Sequence, residues 1–233
     1  MEIVGKKLLN NFVGRDADEG GGGDIINFNN AAAFGLLQEI LTKDGAIGEM
    51  FSLVEQLKKA GFKDPAKDKA KYIDKDILLQ NVPALVELFK ITEASFIENL
   101  NINSPAVTHG QIVEININNI GNILSYAFTL GHEMYGHVFA NRFFKSKFSE
   151  ITRISETSTR NFNFFQEVMG VQWEMSMGAT RYGNNTAFEA TSLYYGPQGV
   201  GHEQSVIDRV NSNIGRLMYE WRIMYNIQKN KSK

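Results

Sequence analysis

The stretch Thr129-Leu130-Gly131-His132-Glu133-Met134-Tyr135-Gly136-His137-Val138 decides how the rest of this chain is read. It holds two of the four histidines in 233 residues, and a glutamate directly follows the first. Two imidazoles suit a transition metal, and a carboxylate beside them can take a proton from water that the metal activates. The spacing sets the local backbone. Histidines at i and i+4 stand about 40° apart around a regular α-helix, whereas an i and i+5 pair stands about 140° apart. His132 and His137 therefore converge only if the helix carries one extra residue, a π-turn of the kind often found at functional sites. Gly136 lets the backbone take up that distortion with no Cβ in the way. The surroundings are apolar: Ile123, Leu124, Tyr126, Ala127, Phe128 and Leu130 precede the motif, and Val138, Phe139 and Ala140 follow it. An acid and two imidazoles buried in such a helix need partners. The plainer reading of the same residues is a surface His-Glu pair.

A catalytic zinc takes three protein ligands and keeps a fourth position open. His132 and His137 would supply two. The chain has no cysteine, so the third must be a histidine or a carboxylate. His109, His202, Glu203, and Glu167 and Glu174 on a later apolar segment all qualify. Glu133 is then the general base, accepting the proton of the attacking water and returning it to the leaving amine. A further donor for the developing oxyanion is expected from Tyr194, Tyr195 or His202. Arg209 and Asn211 are candidates for orienting a ligand. For each tyrosine the bland alternative is an aromatic loop anchor.

Gly131-His132-Glu133-Met134-Tyr135-Gly136-His137 resembles the active helix of zincin metallopeptidases. Its longer form, with glycine before the final histidine, is similar to the signature of the dipeptidyl peptidase III family. A broader resemblance covers roughly residues 94–222. It is to the small zincin-like metallopeptidase domains at the C-termini of bacterial RHS-repeat and other polymorphic-toxin proteins. There a strand like Gly110-Gln111-Ile112-Val113-Glu114-Ile115-Asn116-Ile117-Asn118 precedes the helix, and a segment like Glu203-Gln204-Ser205-Val206-Ile207-Asp208-Arg209-Val210-Asn211 follows it. The resemblance implies zinc as cofactor and a peptide or protein substrate. It also implies a cognate inhibitor or immunity protein and a role as a bacterial effector. It favours Glu203 as the third ligand; His202 beside it and Glu167 in its apolar segment are the next candidates from the residues themselves. In such folds the strand beside the active helix is an edge that binds extended substrate by backbone pairing. On this reading that strand is Gln111 to Asn118, with a plain hairpin strand as the alternative.

Composition narrows the classes. The chain is long enough for one substantial domain, and its 43% apolar and 21% charged residues are ordinary for a globule. A net charge of −2 makes no electrostatic case for nucleic acid or an anionic membrane. No apolar run approaches the ~20 residues of a membrane span. The N-terminus lacks the layout of a signal peptide. The expectation is a cytoplasmic protein, one exported without a cleavable signal, or a domain of a longer chain.

The whole of 1–233 reads as one α+β, mostly helical, zincin-like domain with a small sheet beside the active helix. Residues 1–30 read as irregular. Asp16, Asp18 and Asp24 could hold calcium, but the four glycines from Gly20 to Gly23 favour a flexible connector. Helices are expected over Ala31 to Leu41, Gly45 to Ala60 and Asn161 to Met177. Lys63 to Lys75 reads as a solvated loop, and Pro83 as the start of a short helix, with strand as the alternative from Val86 to Ile91. Strands are expected over Ala94 to Leu100 and Gln111 to Asn118. The active helix should begin at Asn122 or Ser125 and end near Phe144. A long loop is expected from Gly178 to Gly201, then a last helix to about Gln228. Three functions fit: a zinc metallopeptidase, a catalytically silent domain that binds a partner through its edge strand and tyrosines, and a structural metal site.

Overall fold

The computed structural model describes residues 52–154, 159–183, 185–196 and 202–233. The acidic glycine-rich stretch and the helix expected over 31–41 lie outside them. Ser52 opens the first described helix, α1 (Leu53–Lys59), through a capping box with Glu55. The first residues of the helix expected from Gly45 fall outside the described part. Asp74 caps α2 (Lys75–Asn81), and Pro83 opens α3 (Pro83–Thr92), which settles that segment as helix. Val82 has no side chain to cap α3, and the buried Gln56 on α1 does so by accepting the Ala84 N–H at 2.9 Å. The Lys63–Lys75 stretch does more than sit in solvent. The carbonyls of Pro65 and Asp68 accept the Leu124 and Ile123 N–H groups at 2.8 and 2.9 Å, holding the start of the central helix.

The sheet has three short strands, β1 (Ser95–Glu98), β2 (Ala106–His109) and β3 (Ile112–Ile115), in the order β1-β3-β2. β1 runs parallel to β3, and β2 pairs antiparallel with it, Ala106 opposite Ile115 and His109 opposite Ile112. The Gln111–Asn118 segment is therefore the centre of the sheet and not its edge. Val113 and Ile115 point into the core while Ile112 and Glu114 face away. The edge beside the central helix is β2. Its signal is Gly110, at φ 64°, which with Gln111 forms a two-residue hairpin loop. Beyond β3, the buried Asn116 donates to the carbonyls of Leu100 and Ile102, which ends the strand in a turn.

The central helix begins at Asn122, whose side chain accepts the Ser125 N–H at 2.8 Å. It runs as α4 (Ile123–His132), then as π-turns over Glu133–Val138 and Ala140–Phe144, then as α5 (Lys145–Thr152), ending at Arg153 in the left-handed region. It is longer than expected because Phe148 and Ile151 continue its buried face past Phe144. Across it lies α6 (Thr159–Ser176), whose Phe164, Phe165, Val168 and Val171 are buried.

Two expected segments divide differently. The long loop contains α7 (Ala187–Tyr195), opened by a capping box between Thr186 and Glu189, so Tyr194 and Tyr195 end a helix. The last helix is two: α8 (Gln204–Asn211), and α9 (Ile214–Lys231) after a turn at Ser212-Asn213. α7 and α8 pack on α6, and α9 crosses α3, α5 and the second π-turn. There Trp221 is enclosed by Phe139, Phe144 and Phe165 at ring separations of 4.8–5.6 Å. The fold is thus α+β and mostly helical, with the small sheet set beside the central helix.

Candidate metal centre

The π-turn lies where the five-residue histidine interval requires it. In its i→i+5 pattern His132 and His137 come to the same side of the helix, with ring centroids 5.4 Å apart and the planes tilted by 36°. The turn is housed by a close crossing with α6. A Cβ on Gly136 would stand 2.7 Å from the Gln166 carbonyl oxygen and 2.9 Å from the Gly170 backbone. A Cβ on Gly170 would meet the His132 ring at 2.5 Å. The two glycines let the helices approach until the α6 face carrying Glu167, Gly170 and Glu174 meets the histidines.

Glu167 closes the set. One carboxylate oxygen lies 3.3 Å from His132 Nε2, and the other lies 3.4 Å from His137 Nε2. The carboxylate thus bridges the two rings, one oxygen toward each Nε2. His132, His137 and Glu167 form a group with ligand atoms all within 4.8 Å of one another, and no fourth His, Asp or Glu joins it among the described residues.

Behind His132, Nδ1 donates to Glu174 Oε1 at 2.9 Å. This bond fixes the ring orientation and turns the Nε2 lone pair toward the ligand group. Glu174 is nearly fully buried, and its other oxygen accepts from Arg181 and from the Tyr182 hydroxyl. Burial works against the charged His132 imidazolium, yet hydrogen bonds and charge from Glu167 and Glu174 hold its pKa well above the ordinary 6.5. His137 is likewise raised against the cost of burial, by Glu133 and Glu167. Burial alone would raise the Glu167 carboxyl; the two imidazoles overcome it and hold that pKa far below its usual range.

Glu133 is buried in the same π-turn and outside the ligand group. Its Oε2 accepts the Thr108 hydroxyl at 2.7 Å, so β2 aims this carboxylate. Tyr195 ends α7 close to the cluster. Burial raises its phenol pKa, and the charges of Glu167, Glu174 and Glu133 add to the effect. The His202 N–H donates to the Tyr195 carbonyl at 3.0 Å, and its half-exposed ring packs edge-on against Phe164.

The other candidates fall elsewhere. Glu203 is the N-cap residue of α8, its side chain 65% exposed and paired with Arg160 at 3.0 Å, which places it apart from the histidine pair. His109 is exposed at the end of β2, and Arg209 is exposed on α8. Tyr194 is exposed and packs against Tyr182. The structure therefore brings His132, His137, Glu133 and Tyr195 together with Glu167 and leaves Glu203 apart. Sequence reasoning missed Thr108 and Arg181, and placed Tyr182 only in a loop expected to wall the cleft. Of these only Thr108 carried a signal, through the Gly110 hairpin. No protein-family model, curated protein or solved structure matches this chain.

Proposed function

We propose that this chain is a zinc-dependent metallopeptidase. The observation that carries the reading is the joint placement of His132, His137 and Glu167 as a three-ligand group, with Glu133 buried beside it and outside it. A three-ligand set leaves a coordination position open, and two imidazoles with one carboxylate suit zinc. When bound, zinc would make water acidic and polarise a carbonyl oxygen. Glu133, aimed by Thr108, accepts the proton of the attacking water and delivers it to the leaving amine. Glu174 keeps His132 in the tautomer that presents Nε2. Tyr195 carries a phenol that stays protonated and can donate to the developing oxyanion. The edge strand β2 offers backbone groups to an extended peptide next to the general base. A bacterial effector role with a cognate inhibitor follows from the motif resemblance.

A structural zinc site would use four protein ligands and would have no need of a free buried carboxylate. The test measures metal and turnover together. Wild type should hold about one zinc per chain. His132→Ala, His137→Ala and Glu167→Ala should lose it, whereas Glu203→Ala should keep it. Glu133→Gln should retain zinc but hydrolyse a broad peptide library ~10²–10⁴-fold more slowly. Full activity in Glu133→Gln, or no zinc in wild type, would overturn the reading.

A further inference from the structure

A cleft of about 400 Å³ runs along the first turns of α4 to the edge of the metal centre. Asn122, Ser125, Phe128 and Thr129 form one wall, the Thr180-Arg181 turn forms the other, and Pro105, just before β2, closes its rim. Thr129 precedes Glu133 by one helical turn, Pro105 leads into the strand that carries Thr108, and Glu174 in the lining engages His132, so the cleft adjoins the histidine cluster.

Its charge is set by one unequal pair. Among the described residues of the wall Glu174 is the only carboxylate, and its two oxygens already accept from His132, Tyr182 and Arg181. The Arg181 side chain is 61% exposed, pairs with Glu174 through Nη2 and lies over the Tyr182 ring. A guanidinium carries five N–H donors in a planar fork, and the pair with Glu174 uses those of one nitrogen. The hydroxyls of Ser125 and Thr180 border the same space, which also has an apolar floor at Phe128. A carboxylate with a short aliphatic stem matches that set: the fork takes the charge and Phe128 the methylenes.

We infer that this cleft is a specificity subsite for a carboxylate of the peptide substrate, an acidic side chain or the C-terminus, held by Arg181. The inference rests on the peptidase reading and names the substrate class for it.

The test uses zinc-loaded Glu133→Gln protein, which should bind without cleaving, and randomised octapeptide pools matched except for Glu or Gln at one position, scanned along the peptide. A C-terminally amidated set separates the two carboxylate sources. Retention read by mass spectrometry should favour Glu over Gln about tenfold at one position, or the free over the amidated terminus. Arg181→Gln should abolish the preference. Thr180→Glu, which leaves Glu174 untouched, should reverse it, and zinc content is followed in both variants to show the metal site intact. Equal retention of the Glu and Gln pools and of the free and amidated sets would overturn the inference while leaving the peptidase reading standing. So would a preference that survives both variants. Retention of no pool would overturn both.

Discussion

At the scale of single residues, the centre depends on groups that touch no metal position. Glu174 engages His132 Nδ1, Arg181 and Tyr182 from a buried site on α6. Glu174→Gln keeps the shape but replaces an acceptor oxygen with an amide and removes the charge opposite the imidazole. Zinc affinity should fall about 10–100-fold with the three ligands still present, as competition with a chromogenic chelator would show. An unchanged affinity would mean that the ring is oriented by packing against Gly170 alone. Thr108 acts in the same indirect way on Glu133, from another element of the fold.

At the scale of elements, the crossing of the central helix and α6 is what makes the site. It is tight because Gly136 and Gly170 face each other where any Cβ would collide with backbone or with the His132 ring. Gly136→Ala should destabilise the protein by about 1–3 kcal/mol through overpacking, seen as a lower melting temperature. It should also weaken zinc binding, because the helices must part. A variant as stable as wild type would show that the crossing has slack. The capping box of Thr186 and Glu189 makes α7 a helix and so places Tyr195 at its end, beside the cluster.

At the scale of the whole molecule, the cluster links pH, metal and stability. His132 and His137 have raised pKa values in the metal-free protein, so their contribution is complete below about 6.5 and is lost as pH rises through the folded values. Glu167 and Glu174 are lowered, so theirs is complete above about 4.5 and is lost as pH falls toward the folded values. The metal-free protein should therefore draw most stability from this cluster between about pH 4.5 and 6.5. Zinc needs neutral imidazoles, so its stabilisation should grow with pH. At 1,000 times its dissociation constant it amounts to about 4 kcal/mol. Thermal melts with and without zinc at about pH 5.5 and about pH 8 should show the wider gap at the higher pH. Equal gaps would mean that the imidazoles are not the groups displaced.

The sequence by itself determined the central helix, its start at Asn122 or Ser125 and a π-turn between the two histidines, and the lack of cysteine limited any candidate ligands to nitrogen and oxygen donors. These follow from residues a few positions apart, whose relative geometry the helical repeat controls. Only the tertiary structure decided which carboxylate meets the two histidines. Glu167 and Glu203 are both acids at helical positions, and nothing local tells them apart. The choice was made by which face of α6 packs across the central helix at Gly136 and Gly170, which leaves Glu203 outside with Arg160. The order of the strands was decided in the same way. β3 reads locally as well for an edge as for a centre, and it became the centre because β1 and β2 both pair with it. That pairing moved the edge to β2 and brought Thr108 to Glu133.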